Sequence, residues 1–493
     1  MTQDLRLVPA AALTWLLVWF ALLSRTDAAL IGLLVVLTAL LGCTVLLCRP
    51  LPARHRAPEA GRWAATAVLA LALAVAVSGL AVLRSAQRGA TVEPWIGARV
   101  SAVLQIRAEP RLIAEPADQQ QASIVAAVWL AAAGGQLPVR VPVVVMVRED
   151  WSAIPVGSTV QAQVEVVRTP PGDSAGALLI ASGFAEQRAP PPPVANTVAL
   201  IRAGLVSASA HLNPQGRALV PGIAIGDDRA LQPSLAQDMR AVNLTHLTAV
   251  SGAHVAMVVG LVLAGLVWAP RPVRAGAATL VLAGLVALVH PEASVLRAAA
   301  MGLVLILGLL LARPRAALPA LWFTVIALLA LDPWLARSYG FALSVSATAG
   351  LLLLARPLAQ RWSRFIPAPL ASMLAVPVAA QLACAPVLVL LQPDLPVHGV
   401  LANVLAAPAV PPATLLGLLA ALLSPAAPQA AHTVATMASW FTAWIATAAS
   451  WCAALPLVKL PWSGGLVAGA LGLLLAQLRR RARRSTPLPR ESG

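Results

Sequence analysis

The sequence predicts a polytopic α-helical membrane protein of about 11–12 spans, with a small five-stranded β-barrel inserted outside the membrane after the third span. Of the 493 residues, 59% are hydrophobic and only 11% are charged, whereas about a quarter of a soluble globular chain is charged. Apolar runs recur at the length of a membrane-crossing helix. One long interruption instead contains short alternating segments separated by turn residues. This composition excludes a soluble enzyme, a coiled coil and a disordered chain.

Twelve apolar runs are the candidate spans. Three of them open the chain, at about 7–24, 28–48 and 64–84. Nine follow the interruption, at about 247–268, 275–290, 294–312, 316–331, 340–355, 370–392, 398–423, 430–455 and 465–478. Several are short or contain proline, so the expected number is 11 or 12 rather than a single value.

The distribution of arginine predicts the orientation of these spans. The net charge of +16 is typical either of a chain that binds nucleic acid or anionic lipid, or of orientation signals at helix ends. Arg-rich segments at 49–62, 271–274, 313–315, 356–364 and 479–484 alternate with Arg-poor loops. Because cytoplasmic loops collect Lys and Arg, we expect both termini in the cytoplasm and the chain in the cytoplasmic (inner) membrane.

Residues 85–195 form the interruption, and we expect them outside the cytoplasmic membrane. They carry eight arginines and nine acidic residues, so they are nearly neutral. Five segments alternate or are β-branched: Val100–Ala108, Ala122–Leu130, Val139–Val147, Ser158–Val167 and Ala177–Ala185. Five short strands suit a barrel of the OB type. Since the segment has few aromatic residues and no basic excess, a spacer or assembly role stands beside binding of single-stranded nucleic acid.

These patterns divide the chain into five parts. They are three N-terminal spans (1–84), the OB-like domain (85–195), an outer-side helical linker (196–245), a transmembrane channel domain (246–478) and an Arg-rich cytoplasmic tail (479–493). The seven histidines and four cysteines show no metal-ligand spacing, so we expect no metal and no cofactor.

The stretch 243–255 places polar residues at the outer end of an apolar segment, where they are costly unless they face a cavity or a partner. His246, Ser251 and His254 are its candidate pore-lining residues. The alternative is that they pack within the protein. A third interpretation is an intramembrane hydrolase that uses Ser251 and His254, although Ala249 stands where a GxSG motif needs its first glycine.

Five further polar residues are candidates. Asp227 and Asp228 either hold a divalent cation in an outer loop or cap the helix that starts near Leu231. Arg297 either contacts a phosphate, pairs with Glu292 or extends to the outer surface. Gln381 and Asn403 lie inside apolar spans, so each needs a hydrogen-bond partner within the protein.

The chain resembles the ComEC family, whose members are inner-membrane channels for DNA uptake in competent bacteria. The resemblance is carried by ordered motifs across about 190 residues, together with three N-terminal spans and an outer β domain. The motifs are Gly222–Arg229, His246–His254, Ser294–Met301, Leu331–Pro333 with Gly340–Val345, Gln381 with Pro386, and Asn403 with Pro408.

This resemblance implies transport of one DNA strand into the cytoplasm, without enzymatic activity. Expected partners are an extracytoplasmic DNA receptor, a cytoplasmic motor, single-strand-binding proteins, membrane lipid and, in a homo-oligomer, a second copy. Longer relatives carry a C-terminal metallo-β-lactamase-like domain; its HxHxDH motif is absent here, so we expect a separate nuclease. The alternative function is transport of another anionic or lipid-linked substrate.

Overall fold

A computed structural model provides the structure of the protein. It describes residues 7–23, 57–113, 122–132, 135–147, 151, 154–248, 252–289, 293–310, 317–391, 394–395, 398–456 and 460–461. The expected spans at 28–48 and 465–478 lie outside these residues, as does the Arg-rich tail.

Two helices precede the barrel in the described part of the chain. Helix α1 (Val8–Leu23) packs against α2 (Ala57–Val92), which is longer than the span expected at 64–84. A short 3-10 turn, Glu93–Trp95, then connects α2 to the first strand. The chain therefore enters the barrel directly from a long helix.

The described residues of the β domain form six strands. They are β1 (Arg99–Ile106), β2 (Arg111–Ile113), β3 (Ala122–Ala132), β4 (Gly135–Val147), β5 (Thr159–Val167) and β6 (Ala177–Ala189). Five of them close into a barrel in the order β1-β5-β6-β4-β3, because β3 also pairs with β1. The β4–β6 pair is parallel and the other pairs are antiparallel. The five predicted strands are confirmed; the short β2 was not predicted.

Alternation along the strands produces the core of this barrel. In β1 and β5 every second residue is buried, as expected for strands with one face towards a core. Trp129 and Trp151 are the largest buried side chains there. Valines, alanines, leucines and an isoleucine of five strands fill the remaining interior, so the barrel has a continuous apolar core of its own.

Thirteen helices follow among the described residues. They are α3 (Pro193–Ser209), α4 (Pro214–Ile225), α5 (Pro233–Ala241), α6 (Gly252–Gly265), α7 (Arg271–Val289), α8 (Ala293–Leu310), α9 (Ala317–Leu331), α10 (Tyr339–Gly350), α11 (Arg356–Trp362), α12 (Ala368–Leu388), α13 (Gly399–Ala406), α14 (Val410–Leu423) and α15 (Pro428–Ala454). A π-helical turn, Leu351–Ala355, joins α10 to α11. A two-stranded pair, Asp394–Leu395 with Leu460–Pro461, completes the described elements.

Within the described residues, four helical segments are long and apolar enough to cross a membrane: Leu71–Trp95, Arg271–Val289, Tyr339–Trp362 and Ala368–Leu388. Helices α13 and α14 form a fifth candidate, bent by 55° at their junction. Four further apolar helices are shorter, at Val8–Leu22, His254–Gly265, Val295–Leu310 and Ala317–Leu331. The protein is a membrane protein with a barrel between helical parts, and the expected 11–12 spans stay a prediction.

One edge of the barrel contacts the helices through the turn 170–174. Arg88 of α2 donates a hydrogen bond to the carbonyl oxygen of Ser174 at 2.9 Å, and its guanidinium lies 3.2 Å from the ring centre of Trp334. Arg337 donates to the carbonyl oxygen of Pro171. Gly172 has φ +77°, and a Cβ there would collide with Arg337. Glycine therefore permits both the turn and the close approach of Arg337.

Candidate functional site

The turn after α5 holds the first group of candidate residues. Asn243 has φ +56°, a left-handed conformation that Asn tolerates better than most residues. The Leu244 amide donates to the Met239 carbonyl at 2.7 Å and the Asn243 amide donates to the Arg240 carbonyl at 3.2 Å. This is the Schellman pattern of a helix end. It directs the chain into the 3-10 turn Thr245–Leu247, which carries His246.

Asn243 connects His246 to a different helix. His246 Nδ1 lies 3.0 Å from the Asn243 carbonyl oxygen, a hydrogen bond in which the ring nitrogen donates. The Asn243 side-chain amide donates to Gln381 Oε1 of α12 at 3.3 Å. Gln381 Nε2 is buried and has no hydrogen-bond partner among the described residues. The Nε2 donor of Gln381 therefore lies beside the turn without a hydrogen-bond partner among the described residues.

The start of α13 borders the same turn. A Cβ at Gly399 would lie 3.1 Å from the carbonyl oxygen of Val242 and 3.4 Å from Asn243 Cβ, so α13 begins in contact with the turn. The preceding residue is His398, whose Nδ1 is buried without a hydrogen-bond partner among the described residues. Asn403 lies further along α13 and donates to the Gly399 carbonyl of its own helix at 2.7 Å. Asn403 therefore satisfies its amide locally.

A second group forms around Arg297 of α8. Its side chain is buried, with the residue 4% exposed, so the expectation that it extends to the outer surface is wrong. Its guanidinium donates to Thr348 Oγ1 of α10 at 2.6 Å and approaches Met301 Sδ at 3.7 Å. Arg297 Nε has no hydrogen-bond partner among the described residues. The side chain of Glu292, its other expected partner, lies outside them.

The N-terminal end of α6 lies beside Arg297. A Cβ at Gly252 would be 3.3 Å from Arg297 Nη2. His254, in the same first turn of α6, is buried with 2% exposure. Ser251 lies outside the described residues, so the Ser–His pair of the hydrolase interpretation is not tested. The stretch 243–255 is a 3-10 turn followed by a helix, and the positions 249–251 between them are not described.

Gln381 lies on the face of α12 opposite to the face that packs against α10. Ala379 and Ala383 of α12 lie close to the Cβ position of Gly350 on α10, the helix that also holds Thr348. Gln381 is two residues from each of them, about 200° around the helix. Gln381 faces the Asn243 turn, and Arg297 of α8 contacts α10 at Thr348.

Asp227 belongs to an ion-pair network rather than to a helix cap. Its carboxylate accepts hydrogen bonds from Arg229 Nε at 2.9 Å and Nη2 at 2.6 Å. Helix α5 begins at Pro233 with Gln232 as its N-cap and no side-chain cap, so the capping expectation is wrong. Asp228 joins this loop through its carbonyl oxygen, which accepts from the Leu231 amide at 2.9 Å. Among the described residues no cluster of three potential metal ligands occurs.

Charge and burial oppose one another at Asp227. Burial raises the pKa of its carboxyl. The hydrogen bonds and charge of Arg229, together with the charge of Arg202, lower the pKa by more than burial raises it, so the pKa lies below its usual range. Arg229 also contacts Glu109 of the barrel at 3.1 Å, and Glu109 lies 3.3 Å from Arg202 Nε. Asp227 therefore holds an arginine that reaches the barrel.

Sequence reasoning missed several residues of these groups. Thr348 is an ordinary hydroxyl in an apolar run, and its contact with Arg297 depends on how α8 and α10 pack. Glu109 and Arg202 are 93 positions apart in the sequence. Asn243 lies in the stretch 243–255 and His398 begins the apolar run 398–423, but neither was identified as a candidate site residue. A polar residue directly after an amphipathic helix was the one available signal for Asn243.

The region that contains both groups matches a known family. A family model described as "Competence protein" matches residues 223–482, more than half of the chain. The chain belongs to the competence protein family. The match supports a protein of the ComEC type and indicates a role in DNA uptake during competence. No curated protein sequence and no solved structure matches the chain.

Within this competence-family region, the motif residues have different structural roles. The Asp227–Arg229 stretch and the segment after Leu331 contact the barrel, through Glu109 and through Pro171 respectively. Arg297 and Gln381 instead lie between helices, whereas His246 lies exposed on the 3-10 turn after α5. Arg229 of the first competence motif therefore contacts the barrel, and Arg297 and Gln381 of later motifs supply buried polar atoms between the helices.

Proposed function

We propose that the protein is a channel that carries a single strand of DNA across the cytoplasmic membrane during natural transformation. Membership of the competence family supports the DNA substrate. The observation that carries the proposal is that two buried donors at motif positions, Arg297 Nε and Gln381 Nε2, have no hydrogen-bond partner among the described residues. Both groups donate hydrogen bonds, and DNA presents acceptors on its phosphates and its bases.

The energetic cost of these donors argues for a transient ligand. An unsatisfied buried polar group costs about 1–3 kcal/mol, and apolar substitutions would remove that cost. A polyanion that leaves water needs such donors along its path, yet a dense row of charges would hold it in place. One arginine and a few neutral donors therefore favour passage of a DNA strand over its tight retention.

The outer barrel fits a supporting part in this function. Its strand order, with one parallel pair between the third and fifth barrel strands, is the arrangement of an OB fold, and we assign it to that class. We place it outside the cytoplasmic membrane with both termini inside. A DNA receptor would deliver the substrate there, while a motor and single-strand-binding proteins receive the strand in the cytoplasm and a separate nuclease degrades the other strand.

The second candidate function is transport of another anionic or lipid-linked substrate by the same donors. A hydrolase that uses Ser251 is the third, and a serine-reactive probe on the purified protein tests it. Uptake measurements separate the first two candidates, because only a DNA channel delivers labelled DNA to the cytoplasm.

The test compares variants that keep volume and remove donors. Gln381→Leu removes the donor Nε2 together with the acceptor of the Asn243 amide, and His254→Leu removes a buried imidazole. The abundance of both variants in the membrane is therefore measured beside their uptake. Cytoplasmic entry of labelled DNA should fall at least about tenfold, while DNA binding at the cell surface persists. Gln360→Leu, on the exposed face of α11, is the matched control. If both variants are present at normal abundance and their strains take up DNA normally, Gln381 and His254 do not contact the DNA during transport.

A further inference from the structure

The N-terminus of α6 and the guanidinium of Arg297 meet in the protein interior. Arg297 Nη2 lies 3.3 Å from the Cβ position of Gly252, the first residue of this 14-residue helix. Arg297 is 4% exposed and its Nε has no hydrogen-bond partner among the described residues. We propose that this junction is an anion site that binds one phosphodiester group of the DNA strand, an inference that rests on the proposed function.

Two positive groups face each other at this junction. A helix N-terminus carries about half a positive elementary charge, and its first amides have no partners within the helix. Arg297 adds a full positive charge and itself lies only four residues after Ala293, the first residue of α8. No ion pair of Arg297 with a carboxylate occurs among the described residues, and the hydrogen bonds they provide go to Thr348 and Met301, which are uncharged. A bound anion would neutralise the positive charge of Arg297 and of the helix N-terminus.

Thr348 orients the guanidinium. Its hydroxyl donates to the Ser344 carbonyl at 2.9 Å, which leaves an oxygen lone pair to accept from Arg297 Nη1 at 2.6 Å. Because the guanidinium is planar, the hydrogen bond of Nη1 to Thr348 also fixes the orientation of the Nε–H group. We therefore assign Thr348 as a positioning residue and Arg297 as the residue that contacts the ligand.

The chemistry selects the class of ligand. A guanidinium presents parallel N–H groups that match two oxygens of one phosphate, and helix N-termini bind phosphate through backbone amides. Gly252 leaves the first turn of α6 without a side chain that would occupy the space beside Nη2. A single cation holds one phosphodiester at a time, which allows the strand to advance.

The test uses the full-length protein in detergent or nanodiscs and two single-stranded oligonucleotides of one sequence. One has the natural phosphodiester backbone and the other an uncharged methylphosphonate backbone. Wild type should bind the natural strand at least about tenfold more tightly. Arg297→Gln should reduce this ratio several-fold, while Arg297→Lys keeps the charge and retains part of the discrimination. Thr348→Val should reduce the ratio without removing it, since the charge remains.

Arg274→Gln is the matched control, because Arg274 is another arginine with a buried Nε and no carboxylate partner among the described residues. Its ratio should equal that of wild type. Discrimination by Arg297→Gln equal to that of wild type would overturn the anion site. If Arg297→Gln does not accumulate, Arg297→Lys and Thr348→Val decide, and wild-type ratios in both overturn it.

Two further measurements separate this inference from the proposed function. Inorganic phosphate should raise the thermal unfolding midpoint of wild type in a saturable way, and should not raise that of Arg297→Gln. If the wild-type strain takes up no DNA although phosphate protects in this way, the anion site stands and the DNA channel fails. If phosphate protects the Arg297→Gln protein as much as wild type, and the Arg297→Gln strain takes up DNA normally, the anion site fails and the DNA channel stands.

Discussion

The carboxylate of Glu109 in the barrel lies 3.3 Å from Arg202 Nε in helix α3. Arg202 is buried, and its Nη1 also donates to the carbonyl oxygens of Ile225 and Leu288 at 2.8 and 2.9 Å. These carbonyls belong to the C-terminal ends of α4 and α7, where an arginine is favourable. One guanidinium therefore joins two helix ends to a loop of the barrel.

Removing the charge of Glu109 should loosen this junction. We expect Glu109→Gln to destabilise the protein by about 1–3 kcal/mol. This is less than for a fully buried pair, because a quarter of the Glu109 side chain is exposed. Unfolding midpoints in detergent measure the effect. Glu165→Gln is the control: its pair with Arg99 is exposed and should contribute below about 1 kcal/mol. Equal effects of the two substitutions would show that Glu109 is an ordinary surface group.

Asp227 should make stability depend on pH. Because its pKa is lowered in the folded protein, its contribution is present above the unfolded-state value of about 3.9 and is lost as the pH falls through the folded value. Unfolding midpoints measured between about pH 6 and pH 2 should fall less steeply for Asp227→Asn than for wild type. A wild-type slope in Asp227→Asn would contradict the prediction.

Gly350 allows α10 and α12 to pack closely. A Cβ there would lie 2.7 Å from the carbonyl oxygen of Ala379 and closer still to Ala383 Cβ. Gly350→Ala should therefore destabilise the protein by about 1–3 kcal/mol and lower its abundance in the membrane. At Gly276 of α7 a Cβ meets nothing within 4 Å, so Gly276→Ala should be neutral or slightly stabilising. Equal abundance of the two variants would count against this contact.

The orientation of the chain can be tested independently. In a background without the four native cysteines, single cysteines at Ser174 and Ser485 should react from opposite sides of the membrane. A membrane-impermeant thiol reagent applied to intact cells should label Ser174→Cys and spare Ser485→Cys until the cells are opened. Labelling of both from outside would contradict a cytoplasmic C-terminus.

The barrel shows how far the sequence alone could lead. Strand segments such as Ser158–Val167 were predicted within a few residues, because alternation between a core face and a solvent face is a local pattern. The three-residue β2 was missed since a strand of this length has too few residues to show a period. Closure through the β1–β3 pair is a long-range contact, and no local pattern encodes it.

The candidate residues show the limit of the sequence. It determined by itself the apolar composition, the insertion of a β domain and the motif residues, because these depend on residue type and spacing along the chain. Only the tertiary structure placed Arg229 with Glu109, Arg297 with Thr348, and Gln381 with Asn243. The physical reason is that the partner of a buried polar group depends on which helices pack together, and packing joins residues tens to more than a hundred positions apart.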